Sequence, residues 1–111
     1  MYSAKVKICG LRRPEDVQIV NIAKPDLIGF ILTPSKRRVA PEMVLKLTDA
    51  LDPSILRVGV FAGETAKDIA DTAESLGLNG IQLHMDTVPA FASDLEERLA
   101  RIPKDRRPFV W

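Results

Sequence analysis

Short apolar runs alternate with longer amphipathic stretches along the chain. The runs cover positions 4–9, 27–32, 56–61, 80–83 and 109–111. Each is almost continuously apolar, not strictly alternating, and shows no polar outer face. That pattern belongs to strands buried on both sides and predicts a parallel sheet. The intervening stretches carry helix signals. Pro14 with Glu15 and Asp16, and Pro41 with Glu42, place proline and carboxylates in a first turn. Thr65 followed by Asp68 resembles a capping box, Ile69, Ala70, Ala73 and Leu76 share one face, and Gly77 can close the helix. A fourth helix is expected to begin near Asp86 or Thr87. There Val88, Phe91, Leu95 and Leu99 repeat at three to four residues before Pro103 stops it.

Strand alternating with helix gives the α/β class. The strand ends fall near positions 9, 32, 61, 83 and 111, at spacings of 23, 29, 22 and 28 residues. The chain therefore reads as one βα unit repeated four times, plus the start of a fifth strand. Eight such units would take about 200 residues, the lower end for a closed (β/α)8 barrel. Residues 1–111 are thus expected to be a half barrel, ending inside a strand as if truncated.

The 111 residues, 46% hydrophobic, suffice for one modest core. Sixteen Lys and Arg against fifteen Asp and Glu leave a net charge of +1, so electrostatics favour neither nucleic acid nor an anionic membrane as partner. A small solute or a protein remains. The single cysteine cannot form an internal disulfide and fits a reducing compartment, with the cytoplasm expected. Lys5 and Lys7 interrupt the first apolar run, unlike a signal peptide, and no apolar stretch approaches the roughly 20 residues of a membrane-spanning helix.

Four positions carry candidate chemistry. Cys9 ends the first strand, on the side where barrel enzymes keep catalytic groups, with Gly10 opening the turn behind it. A thiol becomes a competent base where a cation favours the thiolate, and Lys7 points to the same side of the strand. The plainer alternative is a small buried hydrophobe. The basic run Ser35-Lys36-Arg37-Arg38 after the second strand is by itself most simply a solvated loop, though Arg37 or Arg38 could present a planar donor pair to an anion. Gln82 and His84 alternate on the fourth strand, so both could line a site or form a hydrogen-bonded core pair. No Cys/His cluster has the spacing of metal ligands.

The run Lys5-Val6-Lys7-Ile8-Cys9-Gly10-Leu11, followed by Pro14-Glu15-Asp16, resembles the opening of phosphoribosylanthranilate isomerases. Three further segments agree in order: Gly29-Phe30 with Pro34-Ser35-Lys36-Arg37, then Arg57-Val58-Gly59-Val60-Phe61, then Gln82-Leu83-His84. The resemblance covers essentially the whole chain. It implies a (β/α)8 barrel and an Amadori rearrangement of tryptophan biosynthesis. In that reaction N-(5-phosphoribosyl)anthranilate opens its ribose ring, loses a proton from the second sugar carbon and becomes 1-(2-carboxyphenylamino)-1-deoxyribulose 5-phosphate. One acid and one base suffice, without metal or redox cofactor.

By the same resemblance Cys9 is the general base, Arg37 holds the anthranilate carboxylate, and Lys7, Gln82 and His84 belong to the substrate pocket. The family's general acid, an aspartate ending the sixth strand, and its phosphate loops after the seventh and eighth lie outside this chain. Alone, the chain is expected to be inactive and to need a complementary half or self-association. Two positions depart from the family pattern, Arg12 where threonine is usual and Met85 where glycine is usual. The competing expectation is a non-catalytic α/β binding or assembly module, either an open flavodoxin-like sheet or a half barrel paired with a second copy.

Overall fold

A computed structural model describes residues 6–84 and 88–110. The apolar runs become strands β1 (Lys7–Cys9), β2 (Leu27–Ile31), β3 (Leu56–Phe61), β4 (Gly80–Leu83) and β5 (Phe109–Val110). Helices α1 (Pro14–Ala23), α2 (Pro41–Ala50), α3 (Ala66–Ser75) and α4 (Pro89–Ala100) connect them, with a 3-10 turn at Lys104–Arg106 before β5. All four pairings are parallel, and the sheet order is β1-β2-β3-β4-β5. Each strand lies beside its predecessor and the winding never reverses. That overturns the flavodoxin-like alternative, whose sheet turns back at a switch point.

The register sorts side chains onto two faces, because paired residues of parallel strands point the same way. One row runs across the whole sheet: Cys9, Gly29, Val58, Gly80 and Phe109. Lys7, Leu27 and Leu56 lie one row below, and Ile31, Val60 and Gln82 one row above. Ile28, Phe30, Phe61 and Ile81 alternate with these and join the helix residues Val44, Leu47, Ile69 and Leu99 in the main core. Burying such a side chain contributes about 1.5–3 kcal/mol, so this layer holds the helices to the sheet.

The opposite face is concave. Lys7 on β1 donates from Nζ to Gln82 Oε1 on β4, with two strands between them. In a flat sheet three strand spacings and the four-residue offset between the rows of Lys7 and Gln82 would separate those backbones by about 19 Å, beyond the reach of the two side chains. The link therefore requires the sheet to curl toward this face, as a barrel wall does.

The helix starts follow local chemistry. Asp16 Oδ2 accepts the Arg12 and Arg13 backbone N–H groups at 3.3 and 3.1 Å, while Oδ1 accepts from Arg13 Nη2 at 3.2 Å. Thr65 Oγ1 accepts the Asp68 N–H at 3.1 Å at the head of α3, and Gly77 follows that helix with φ +64. The fourth helix departs from expectation. It begins at Pro89, which lacks an N–H and has φ preset for a first turn, and Val88 precedes it as an exposed residue. Asp86, Thr87, residues 4 and 5 of the first run, Met85 and Trp111 lie outside the described residues. Among the described residues no helix is long and apolar enough to cross a membrane.

Candidate active site

The end of β1 is built on a tight turn. The N–H groups of Gly10 and Leu11 both donate to Gly29 O, at 2.9 and 3.2 Å, and Gly10 takes φ +90 to allow it. Cys9 sits just before this turn as a half-buried free thiol on the concave face. Its Sγ occupies space that exists only because residue 29 has no side chain: a Cβ there would lie 2.8 Å from the sulfur. Gly80 gives the same room to the Phe109 ring further along the row.

Arg37 is brought to Cys9 by the loop after β2. Its Nη2 donates to Cys9 O at 3.1 Å, and its guanidinium lies where a Cβ on Gly10 would intrude. Ser35 shapes the loop, accepting the Arg37 N–H on its hydroxyl at 3.1 Å and the Arg38 N–H on its carbonyl at 3.3 Å. Arg12 reaches back in the other direction, donating from Nη1 to Lys36 O at 3.2 Å. The two strand-end loops thus each present an arginine to a carbonyl of the other. They border an open pocket that runs from Cys9 and Arg37 back to Ile8 and the α1 residues Asp16, Ile19 and Val20, so it lies between the β1 end and α1. The arginine at position 12, where a threonine was the expectation of the resemblance, contributes this second tie.

Across the concave face Lys7, Gln82 and His84 form a chain. Lys7 offers only protons, so its bond to Gln82 Oε1 fixes which end of the amide is oxygen. Gln82 Nε2 then lies 2.9 Å from His84 Nε2, where the amide donates and the ring nitrogen accepts. His84 is held at the strand end by its own N–H, which donates to Phe61 O at 2.8 Å. Alternation along β4 had put Gln82 and His84 on one side, and they do meet. Lys7, anticipated as a neighbour of the thiol, has Gln82 as its hydrogen-bond acceptor.

Two contributors escape sequence reasoning. Gly29 was legible as a motif residue but not as the seat of the sulfur; a glycine inside an apolar strand was the available signal of close approach. Glu64 was not singled out. Its Oε1 accepts the Ala62 N–H at 2.7 Å and its Oε2 lies 2.9 Å from Thr33 Oγ1, joining the loops after β2 and β3. Among the described residues no group of three or more His, Cys, Asp or Glu is placed to hold a metal ion.

Comparison with known proteins agrees on one family. Residues 6–107 match the family model for N-(5'phosphoribosyl)anthranilate (PRA) isomerase. The N-(5'-phosphoribosyl)anthranilate isomerase of Acetivibrio thermocellus is 43% identical over 106 residues, covering 96% of this chain and 48% of its own length. The crystal structure of phosphoribosyl anthranilate isomerase from Thermus thermophilus is similar at TM-score 0.77 and 35% identity, over 85% of this chain and 48% of that one. A phosphoribosyl anthranilate isomerase in complex with reduced 1-(o-carboxyphenylamino)-1-deoxyribulose 5-phosphate gives TM-score 0.76 and 35% identity, over 86% of this chain and 50% of that one. The chain spans about half the length of these relatives. With a family match running from the first strand to the turn before the fifth, the chain belongs to the N-(5'-phosphoribosyl)anthranilate isomerase family.

Proposed function

We propose that this chain is the N-terminal half of a (β/α)8-barrel isomerase that converts N-(5'-phosphoribosyl)anthranilate to 1-(2-carboxyphenylamino)-1-deoxyribulose 5-phosphate in the cytoplasm. The observation that carries this reading is the convergence of Cys9 and Arg37 at one strand end, in a chain that matches the family over residues 6–107. Ring opening breaks the bond between the anomeric carbon and the ring oxygen, which takes a proton from an acid supplied by the complementary half. Cys9 then accepts the proton from the second sugar carbon, and the resulting enolamine tautomerises to the aminoketose. Arg37 exchanges the Cys9 carbonyl for the anthranilate carboxylate, a better acceptor for a planar donor. Lys7, Gln82 and His84 line the floor beneath the sugar. No metal or redox cofactor enters this scheme.

The partner this reading calls for is suggested by the sheet's edges. Val6 before β1, Ile8 within it, Ile19 and Ile22 on α1, and Val110 on β5 are exposed apolar side chains. Uncovered strand edges of this kind favour association. A complementary C-terminal half would cover them in the isomerase. The same exposure supports the second reading, a non-catalytic assembly module in which a second copy fills that place, and light scattering separates the two.

The test is a titration with reduced 1-(o-carboxyphenylamino)-1-deoxyribulose 5-phosphate, using this chain mixed with the C-terminal half of the Acetivibrio thermocellus relative. The proposal expects saturable binding to the mixture, weakened about tenfold or more by Arg37→Ala, as loss of a charged hydrogen bond implies. Binding no tighter than to the added half alone overturns it.

A further inference from the structure

We infer that Glu64 is a positioning residue, which holds the loop carrying Arg37 by bridging it to the loop after β3. The bridge is anchored on one side only by backbone: Ala62 N–H donates to Glu64 Oε1 at 2.7 Å. Gly63, with φ +87, turns the chain so that the carboxylate of residue 64 can fold back onto residue 62. The free oxygen faces Thr33, whose Oγ1 lies 2.9 Å from both Glu64 Oε2 and Ala62 O. A hydroxyl has one proton, so Thr33 donates to one of these acceptors at a time, and either choice ties it to the 62–64 turn.

Thr33 is the first residue beyond the backbone bond from Leu32 N–H to Val60 O, which extends the β2–β3 ladder past the Ile31–Val60 pair. Four residues later comes Arg37. The loop returns to the sheet at Val39, whose N–H donates to Ile31 O at 2.9 Å. Between those two points the loop is exposed at residues 34–38, and the Thr33 side chain is its part-buried attachment to the next loop. Fixing Thr33 therefore limits where the Arg37 guanidinium can swing. The inference rests on the proposed role of Arg37 for its consequence, but the mechanical link stands on these bonds alone.

Three variants of the 111-residue chain, isotope-labelled and mixed with the C-terminal half of the Acetivibrio thermocellus relative, separate the link from a local turn contact, with amide exchange and anthranilate titration followed by NMR. Glu64→Ala removes both Glu64 bonds, so that the Ala62 carbonyl left to Thr33 lies on a turn the carboxylate no longer holds, and Thr33→Val removes the hydroxyl and with it both of its possible bonds. Glu64→Gln keeps an acceptor for Ala62 N–H and turns an NH2 toward Thr33 Oγ1, whose proton then goes to Ala62 O. The expected result is faster exchange at Arg37, Arg38 and Val39 in both Glu64→Ala and Thr33→Val, by about tenfold for a hydrogen bond of this kind, with β3 core amides unchanged and Glu64→Gln near wild type. Anthranilate perturbation of Arg37 weakens in the same two variants. Unchanged loop exchange in Glu64→Ala overturns the inference, since Thr33 would then hold the loop through Ala62 O without Glu64, and unchanged exchange in Thr33→Val overturns it because the link would not run through Thr33 at all. Faster exchange in a protein whose Arg37 does not respond to anthranilate upholds the link and overturns the binding role of Arg37.

Discussion

Cys9 and Gly29 face each other across the β1–β2 register so closely that a Cβ on Gly29 would stand 2.8 Å from the Cys9 sulfur. The glycine thereby sets the direction of the thiol. Gly29→Ala is expected to push Sγ out of its place, at an overpacking cost of about 1–3 kcal/mol, and to change the rate at which Cys9 is alkylated. Because the clash is with sulfur, Cys9→Ala in the same chain should recover most of the loss. Urea unfolding of the two single variants and the double variant measures it; additive effects would show that residue 29 acts elsewhere.

Gly10 is under two constraints at once. Its φ of +90 disfavours any side chain, and a Cβ would collide with the Arg37 guanidinium. Gly10→Ala should cost about 1–2 kcal/mol from the backbone, a penalty that persists when Arg37→Ala removes the collision. Chemical denaturation of both backgrounds checks this. Arg37→Ala should also weaken carboxylate binding more than Arg38→Ala, because only Arg37 reaches the Cys9 backbone; equal effects in a binding titration would contradict the assignment.

How much of this was legible beforehand depends on the range of the cause. β3 and β4 follow directly from apolar runs, and α1, α2 and α3 start where proline, carboxylates and Thr65 place them. Local chemistry decides those boundaries. α4 was placed too early because Asp86 and Thr87 look like caps, whereas Pro89 sets the first turn. Alternation put Gln82 and His84 on one face, but Lys7 joins them only because the sheet curls, which no short-range pattern encodes. The Glu64 bridge depends on the left-handed turn at Gly63 and on a partner 31 residues away, Thr33.

Acid stability gives an independent check on the loop-to-helix junction. Burial works against ionising Asp16, but the Arg13 side chain and the Arg12 and Arg13 N–H groups outweigh it and hold its carboxyl below the usual range. Asp52 is lowered as well, chiefly by the N–H and hydroxyl of Ser54. A carboxylate with a depressed folded-state value stabilises the fold above the unfolded value, around pH 4, and loses that contribution as pH falls through the folded one. The urea midpoint should therefore drop below about pH 4, and Asp16→Asn should flatten the drop. An unchanged slope in Asp16→Asn would place the acid sensitivity elsewhere.

Cys9 as the base is the claim on which the proposed chemistry turns. The direct measurement is fluorescence-monitored turnover of N-(5'-phosphoribosyl)anthranilate by this chain fused to the C-terminal half of the Acetivibrio thermocellus relative, with Cys9 intact or replaced. The fused protein should turn over, the 111-residue chain alone should not, and Cys9→Ala in the fusion should lower kcat by about 10²- to 10⁴-fold while melting stays close to the parent. Turnover in the Cys9→Ala fusion equal to that of its parent would contradict the account.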